Sequence, residues 1–154
     1  MAISPNDNFI AGQILTAVEC NQFPRGIVAF AQSTANDATI TTEEIQLTAS
    51  TFTAVANRYY RITYYEPQVT TPASVAKVTS RIRLTNLAGT QFQAGLLENE
   101  FSNPAGLMNT VWIGTLTAGS TVIVATLACS ASTATATRSA TQPAQLTIED
   151  IGPA

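Results

Sequence analysis

Five glutamates are the side chains of this sequence that are best suited to catalysis. Two carboxylates flanking a sugar linkage are enough for glycoside hydrolysis, because one can protonate the leaving oxygen while the other serves as base or nucleophile. Carboxylates in loops and at the solvated ends of strands look the same in a sequence, and this is the more ordinary interpretation. A glycan-cleaving domain is therefore one hypothesis to test. The candidates are Glu43, Glu44, Glu66, Glu98 and Glu100.

Other reactive chemistry lacks the residues that it needs. The chain contains no histidine, which is the commonest general base and the commonest metal ligand. No Cys-x-x-Cys pair, phosphate-binding glycine loop or nucleophile elbow occurs. Asn36 and Asp37 carry oxygens that suit a hard cation, but a tight turn explains the pair better. We therefore predict a protein that is not an enzyme, with no cofactor and no bound metal.

The two cysteines, Cys20 and Cys129, are distant in the sequence and lie among apolar residues. We expect both to be reduced and buried, as free cysteines usually are. A disulfide or a metal-binding pair is the alternative.

Charged residues are scarce in this chain. They make up 11% of its 154 residues, against about 25% in typical soluble domains. Thr, Ser, Asn and Gln supply the polarity instead, and ordinary hydrogen bonds can satisfy these side chains at an interface where charges would have to be desolvated. The composition favours close contact with other protein copies. A secreted or thermally robust monomer with a neutral surface is the alternative.

The net charge and the first residues limit the partners and the compartment. A net charge of −3 gives no attraction to nucleic acid or to anionic lipid. The opening residues lack the basic and apolar regions of a signal peptide, and the most apolar stretch, 122–128, is too short to span a bilayer. We expect synthesis in the cytoplasm, with neither nucleic acid nor membrane as a partner.

From Ile27 onward the hydrophobic residues alternate with a period of two, which indicates strands. The clearest case is 76–85, where Val78, Ile82 and Leu84 point to one side and the charged side chains to the other, as in a half-buried antiparallel strand. The apolar run at 122–128 predicts a central strand that is covered on both faces. The spacing predicts an all-β fold, an antiparallel β-sandwich over residues 25–154. Further strands are predicted at 27–31, 44–48, 59–65, 91–97, 110–116, 121–129, 133–138 and 145–151.

Residues 1–24 form a separate N-terminal arm. Thr16 and Glu19 have the spacing of a capping box, which predicts a short helix from Ala17 to Gln22 that ends before Pro24. So short a helix must dock on its own domain or on a neighbour. We expect the apolar side chains of the arm to anchor it. They are Phe9, Ile10, Ile14, Leu15 and Phe23.

Arginines and tyrosines on two strands are the candidates for contact between subunits. Arginine tolerates partial burial and pairs with carboxylates through two hydrogen bonds. The alternatives are a solvated sheet face for the arginines and simple core positions for the tyrosines. The candidates are Arg58, Tyr59, Tyr60, Arg61, Tyr64, Tyr65, Arg81 and Arg83.

Three segments of the chain resemble small structural proteins of tailed bacteriophages, especially those of actinobacteria. They are "FIAGQILTA" with "FPRG" in residues 9–26, "FTAVANRYYRITY" in 52–64, and "TATRSA" through "IEDIGP" in 135–153. The tyrosine segment also resembles the jelly-roll heads of the tumour necrosis factor and complement-collagen kind. These heads are trimers packed through aromatic inner faces. The two resemblances imply a jelly roll on the virion surface that forms a homotrimer, with the tyrosine strand near the three-fold axis.

The hypothesis that we favour is a trimeric capsid decoration or cement protein, a minor capsid protein held to the major capsid protein by its N-terminal arm. The chain has no shaft of its own, which a knob held away from the particle would need. A minor tail protein, or a receptor-binding knob at the tail tip or on a fibre, is the alternative. A carbohydrate-binding or glycan-cleaving domain is the third hypothesis.

Overall fold

A computed structural model describes residues 12, 14, 16–21, 23–71, 76–98 and 105–154. Within these residues the chain forms twelve antiparallel strands and one helical turn, α1 (Ala17–Cys20). The strands are β1 (Gly26–Ser33), β2 (Asp37–Ile40), β3 (Glu44–Thr48), β4 (Phe52–Ala54), β5 (Arg58–Thr70), β6 (Lys77–Leu84), β7 (Gln91–Glu98), β8 (Ala105–Thr115), β9 (Gly119–Thr121), β10 (Ile123–Cys129), β11 (Ala134–Ala136) and β12 (Ala144–Pro153).

Two sheets pack against each other and enclose the core. The larger sheet has the order β1-β12-β5-β8, and the far end of β5 continues through β11 to β2. The second sheet has the order β3-β10-β6-β7, and β4 pairs with β9 as a two-stranded ribbon. Core side chains such as Ile62, Ile82, Leu127 and Ile148 come from both sheets and are fully buried. The predicted antiparallel β-sandwich is confirmed.

The alternation in β6 and the apolar run in β10 have the expected structural meaning. Val78 and Ile82 of β6 are buried, whereas its charged side chains point out of the sandwich. β10 lies between β3 and β6, and its residues from Ile123 to Leu127 are buried on both faces. Thr126 is the one polar residue of this buried stretch, and its hydroxyl is satisfied because Oγ1 donates a hydrogen bond to Glu43 Oε1 (2.7 Å). A central strand covered on both faces is therefore confirmed.

Several strands differ from the predicted ones in length. β5 runs to Thr70 instead of Tyr65, and β8 begins at Ala105 instead of Thr110. The pairing of these two strands shifts register between Glu66 and Val69. Pro67 lies in that irregular stretch, where a residue without a backbone N–H can be tolerated. The three-residue and four-residue strands β2, β4 and β9 were not predicted, because so short a segment carries too little alternation to detect.

The described part of the arm contains one helical turn, which is shorter than the predicted helix from Ala17 to Gln22. The capping box has formed: Thr16 Oγ1 accepts from the Glu19 amide (3.3 Å) and Glu19 Oε2 accepts from the Thr16 amide (2.7 Å). Gln22 lies outside the described residues. So do three of the expected anchoring residues, namely Phe9, Ile10 and Leu15.

The cysteines are both free thiols, and they differ in their surroundings. Cys129 is half-buried at the end of β10, where its thiol contacts the Ala131 carbonyl (3.0 Å). Cys20 lies on the exposed helical turn, so the expectation that it is buried is wrong. The apolar neighbours of Cys20 in the sequence belong to the arm and not to the core.

Candidate functional site

The outer face of the larger sheet is formed by every second residue of four strands. β1, β12, β5 and β8 lie side by side, so residues opposite each other in the ladders make rows across the sheet. We use "outer face" for these rows and the outward residues that continue them. The two central rows contain Phe30, Thr147, Thr63 and Val111 in one, and Ile27, Glu149, Arg61 and Ile113 in the other.

The outer face is apolar for a surface that faces solvent. In the described residues ten large hydrophobic side chains are exposed, and five of them lie here. Ile27 is 62% exposed and Ile113 is 56% exposed. The apolar side chains of β1 and β8 lie at the two edges of this face, with polar side chains of β12 and β5 between them. Exposed apolar side chains gathered on one face favour protein interaction, because their removal from water is favourable. The five side chains are those of Ile27, Phe30, Leu107, Val111 and Ile113.

The outer face carries one positive and one negative charge, which neutralise each other. Arg61 Nε donates to Glu149 Oε2 at 2.5 Å. This hydrogen bond raises the pKa of the Arg61 guanidinium. A shallow depression lies beside the pair, with Thr63, Val111 and Thr147 among its lining residues. The face is therefore neutral as a whole, and its polar groups are mostly uncharged hydroxyls and amides.

Three of the predicted inter-subunit residues lie on the outer face. They are Tyr59, Arg61 and Tyr65, which alternate along β5 with the buried side chains of the same strand. Tyr65 lies between Gln145 and Asn109 in the ladder. The structure thus brings these three residues together with the apolar side chains of β1 and β8.

Three other predicted inter-subunit residues are enclosed within the chain itself. Tyr60 and Tyr64 are buried in the core, where Tyr60 packs against Phe52. The Tyr60 hydroxyl accepts a hydrogen bond from the Val55 amide at 2.9 Å. Arg58 is buried beside Asp150. These three residues have no surface to offer a neighbour, so their prediction as interface residues is wrong. Alternation in β5 puts them on the inward side.

Arg58 connects the arm to the sandwich. Its Nε and Nη2 donate to the two carboxylate oxygens of Asp150, at 2.5 and 2.7 Å. Its Nη1 donates to the Asn21 carbonyl (2.5 Å) and its Nη2 also donates to the Phe23 carbonyl (2.6 Å). The guanidinium therefore holds the backbone of the arm just before β1. Ile14 and Phe23, the two anchoring candidates within the described residues, are both exposed.

Arg81 and Arg83 lie on the other sheet, where they cover the outward side of β10. The register places Arg83 opposite Val124 and Arg81 opposite Thr126. Arg83 donates to both oxygens of Glu43, at 2.6 and 3.0 Å, and Arg81 Nη1 lies 3.4 Å from Glu43 Oε2. The hydrogen bonds from Arg83 lower the pKa of Glu43. These arginines already have a carboxylate partner in their own chain.

Glu66 is fully buried, although it was interpreted as one of five exposed glutamates. Arg138 Nε and Nη2 donate to its two oxygens at 2.8 and 2.7 Å, and the Tyr64 hydroxyl donates to it at 2.8 Å. Burial, with the negative charge of Glu66 second, raises the pKa of Tyr64 well above 10.0. A carboxylate so completely paired serves the core and is not available to a substrate.

The remaining carboxylates also have partners. Glu98 pairs with Lys77 at 2.8 Å, and Gln46 Nε2 bridges Asp37 and Glu44 at 2.9 and 3.0 Å. Burial raises the pKa of Glu44, and its contact with Asp37 raises it further. Burial acts in the same direction on Asp37, but hydrogen bonds, first of all from Gln46, lower its pKa to about 2. Glu100 lies outside the described residues.

The described residues contain neither a metal-binding cluster nor a membrane-spanning helix. Among these residues no group of three or more acidic or cysteine side chains is placed to hold a metal ion. No described helix has the length and the apolar character that a membrane crossing requires.

No protein-family model matches the chain, and no curated protein matches it. Among solved structures, the chain is similar to the CBM22-1 xylan-binding domain of Paenibacillus barcinonensis Xyn10C, with 9% identity, a TM-score of 0.37, and coverage of 86% of this chain and 99% of that one. It is also similar to an arabinose-bound GH51 α-L-arabinofuranosidase, with 10% identity, a TM-score of 0.33, and coverage of 86% of this chain and 24% of that one.

A third solved structure with similarity to the chain is the VP2 subviral particle of infectious bursal disease virus. The identity is 10% and the TM-score is 0.28, over 84% of this chain and 39% of that one. At such TM-scores none of the three likenesses carries an argument about function.

The apolar residues of the outer face were missed in the sequence, although one signal for them was present. In the segment 107–113 apolar side chains occur on both alternating sides of β8, with Met108 inward and Leu107, Val111 and Ile113 outward. An edge strand that is apolar on both sides needs cover on its outward side. Ile27 and Phe30 gave no such signal, because only the pairing of β1 with β12 places them on this face.

Proposed function

We propose that this chain is a non-enzymatic structural protein of a tailed-bacteriophage virion, a jelly-roll homotrimer that decorates the capsid. The observation that carries the proposal is the apolar, charge-balanced outer face of the larger sheet. Such a face is built to be covered by protein. The enclosed or paired state of every described carboxylate named above favours assembly over catalysis.

The strand order supports the jelly-roll part of the proposal. Apart from the short strands β2, β4, β9 and β11, the sandwich has eight strands in two sheets of four, β1-β12-β5-β8 and β3-β10-β6-β7. Strands from the two ends of the chain are neighbours in the sheets, as in β1-β12 and β3-β10. A double-sheet jelly roll of eight strands has this arrangement.

A second copy of the chain is the occupant that suits the outer face. The face has no net charge, so a strongly acidic or basic partner would gain nothing from it. Its Arg61 and Glu149 side chains are neighbours, so three copies around a three-fold axis can each place the guanidinium against the carboxylate of the next copy, a head-to-tail contact that closes a ring. The apolar side chains on either side of the pair exclude water from the contact.

The arm supports attachment to the particle. Arg58 fixes its backbone at Asn21 and Phe23, so the arm joins the sandwich at a defined place. Each contact of an arm with the capsid can be weak, because a trimer presents three arms at once and gains affinity through effective concentration. A position on the tail would use the same arm, and it is the alternative.

Copy number in purified particles of the phage that encodes the chain tests this proposal. Quantitative mass spectrometry, with the major capsid protein as the internal standard, should find hundreds of copies per particle. A few to tens of copies would contradict decoration in favour of the tail. Absence of the chain from particles that carry all other structural proteins would overturn the virion proposal altogether.

A further inference from the structure

A cavity of about 340 Å³ opens at one end of the sandwich, where the turn after β6 meets the turn between β8 and β9. This volume lies in the lower part of the range for small-molecule sites, roughly 300–1,000 Å³. None of the five exposed apolar residues of the outer face lines it. The lining residues are Leu84, Thr85, Thr90, Phe92, Thr115, Leu116, Thr117, Ala118, Ser120 and Thr121.

The lining of the cavity is uncharged and rich in hydroxyl groups. None of the lining side chains is ionisable. Six of them carry a hydroxyl group, and the ring of Phe92 forms the aromatic wall. Thr121 Oγ1 donates to the Gly119 carbonyl (3.1 Å). The other five hydroxyls make no hydrogen bond to a group within the described part of the chain. Their donors and acceptors are therefore available to a ligand.

The ring of Phe92, which forms the aromatic wall, is held in place by a second aromatic ring on the side away from the cavity. The Phe92 ring packs on Trp112 with 4.6 Å between the ring centroids. The indole has room because residue 114 is glycine: a Cβ there would lie 2.4 Å from Trp112 Cζ2. An aromatic surface fixed in this way keeps its orientation when a ligand arrives, so little conformational entropy is lost on binding.

One lining residue also has a strained backbone. Thr85 has a φ of +67°, which is rare for a residue that branches at Cβ. Its amide donates to the Val122 carbonyl (2.9 Å), and this bond holds the conformation. Strain of this kind is concentrated at ligand-binding and catalytic sites.

We infer that this cavity binds a neutral polyhydroxylated ligand, such as one or two sugar rings of an uncharged glycan. The hydroxyls of the lining would exchange hydrogen bonds with those of the sugar, and the apolar face of a ring would lie on Phe92. An ionic ligand is excluded, because it would lose water without meeting an opposite charge. The inference does not depend on assembly, since the cavity is complete within one chain.

Nuclear magnetic resonance on the 15N-labelled full chain tests the inference, with D-glucose, D-galactose and D-xylose and their neutral di- and trisaccharides as probes. At least one of these sugars should shift the amide signals of Thr85, Thr90 and Ser120 at millimolar concentration. Trp112 is the single tryptophan of the chain, so its emission should change in the same titration. D-glucuronate should not bind more tightly than its neutral counterpart.

Variants separate binding in the cavity from binding elsewhere. Phe92→Ala should weaken binding roughly tenfold or more, because it removes the apolar wall. Thr117→Val and Ser120→Ala alter exposed residues and leave the core intact, and each should weaken binding roughly two- to tenfold. Val111→Ala on the outer face is the control and should bind like the wild type. The inference is overturned if no neutral sugar shifts these signals, or if Thr117→Val and Ser120→Ala bind every sugar as tightly as the wild type.

Discussion

Arg58 and Asp150 form an ion pair that the end of the sandwich encloses, with Nε–Oδ2 and Nη2–Oδ1 distances of 2.5 and 2.7 Å. Only 6% of the Arg58 side chain and 1% of the Asp150 side chain are exposed. The remaining donors of the guanidinium hold the Asn21 and Phe23 carbonyls. One buried charge pair therefore joins the last strand of the sandwich to the arm at the opposite end of the sequence.

Loss of Arg58 should be costly for this reason. Arg58→Ala leaves the buried Asp150 carboxylate with only Arg25, whose Nε lies 3.9 Å away, and we expect the free energy of unfolding to fall by about 3 kcal/mol. Urea unfolding measures the change. Lys77→Ala is the control, because its pair with Glu98 is exposed and lies on the other sheet, away from the outer face. It should leave stability nearly unchanged.

The same substitution should free the arm. Trypsin cleaves after Arg25, which lies between the clamped backbone and β1. In Arg58→Ala this site should be cut faster than in the wild type under native conditions, whereas Lys77→Ala should be cut at the wild-type rate. Equal rates for all three proteins would show that Arg58 does not hold the arm.

Tyr64 provides a second test of the buried polar groups. Tyr64→Phe removes a hydrogen bond to the charged Glu66, which should cost about 1.5–3 kcal/mol of stability. Tyr65→Phe, one residue away on the outer face, should change stability by less than about 0.5 kcal/mol. Because the pKa of Tyr64 is raised well above 10.0, an alkaline absorbance titration of the wild type should contain a tyrosinate step that appears only on unfolding and that Tyr64→Phe removes.

Asp37 and Glu44 should respond to pH in opposite ways. The pKa of Asp37 is lowered from 3.8 to about 2, so its contribution to stability is present above pH 3.8 and is lost as the pH falls towards 2. The destabilisation caused by Asp37→Asn should therefore shrink over this interval. The pKa of Glu44 is raised from 4.5, so its contribution is present below pH 4.5 and is lost as the pH rises through the folded-state value. Glu44→Gln should gain stability over the wild type in that direction.

Thermal unfolding of the wild type, Asp37→Asn and Glu44→Gln from pH 2 to pH 7 tests the direction of each pKa shift. A constant difference between the wild type and Asp37→Asn across the acid range would contradict the shift on Asp37. A difference between the wild type and Glu44→Gln that does not grow with pH would contradict the shift on Glu44.

Alternation was enough to predict which residues of β6 and β10 face the core, because burial of one side of a strand depends on local pattern. The lengths of β5 and β8 were not predictable, since their extension beyond Tyr65 depends on an irregular pairing around Pro67. Asp150 and Arg58 are 92 residues apart in the sequence. A pair at that separation is fixed only by the register between β12 and β5, which no local pattern reveals.

The interface candidates show the same limit. Tyr59 and Tyr60 are chemically alike neighbours, but alternation places one on the outer face and the other in the core. Their type identified β5 as important without telling which side of it faces outward. The apolar outer face itself combines residues from β1 and β8, and it could be found only once the strand order was known.

Sedimentation equilibrium over a wide range of protein concentrations tests the central claim most directly. The wild type should have three times the 16.2 kDa mass of one chain. Val111→Glu places a carboxylate among the apolar outward residues of β8 and should give a monomer, because a charge would have to be buried at the contact. Leu96→Glu is the matched control, since Leu96 is an equally apolar exposed residue on the other sheet. It should remain a trimer. A wild type that is monomeric at every concentration, or a Val111→Glu variant that keeps the wild-type mass, would contradict assembly through this face.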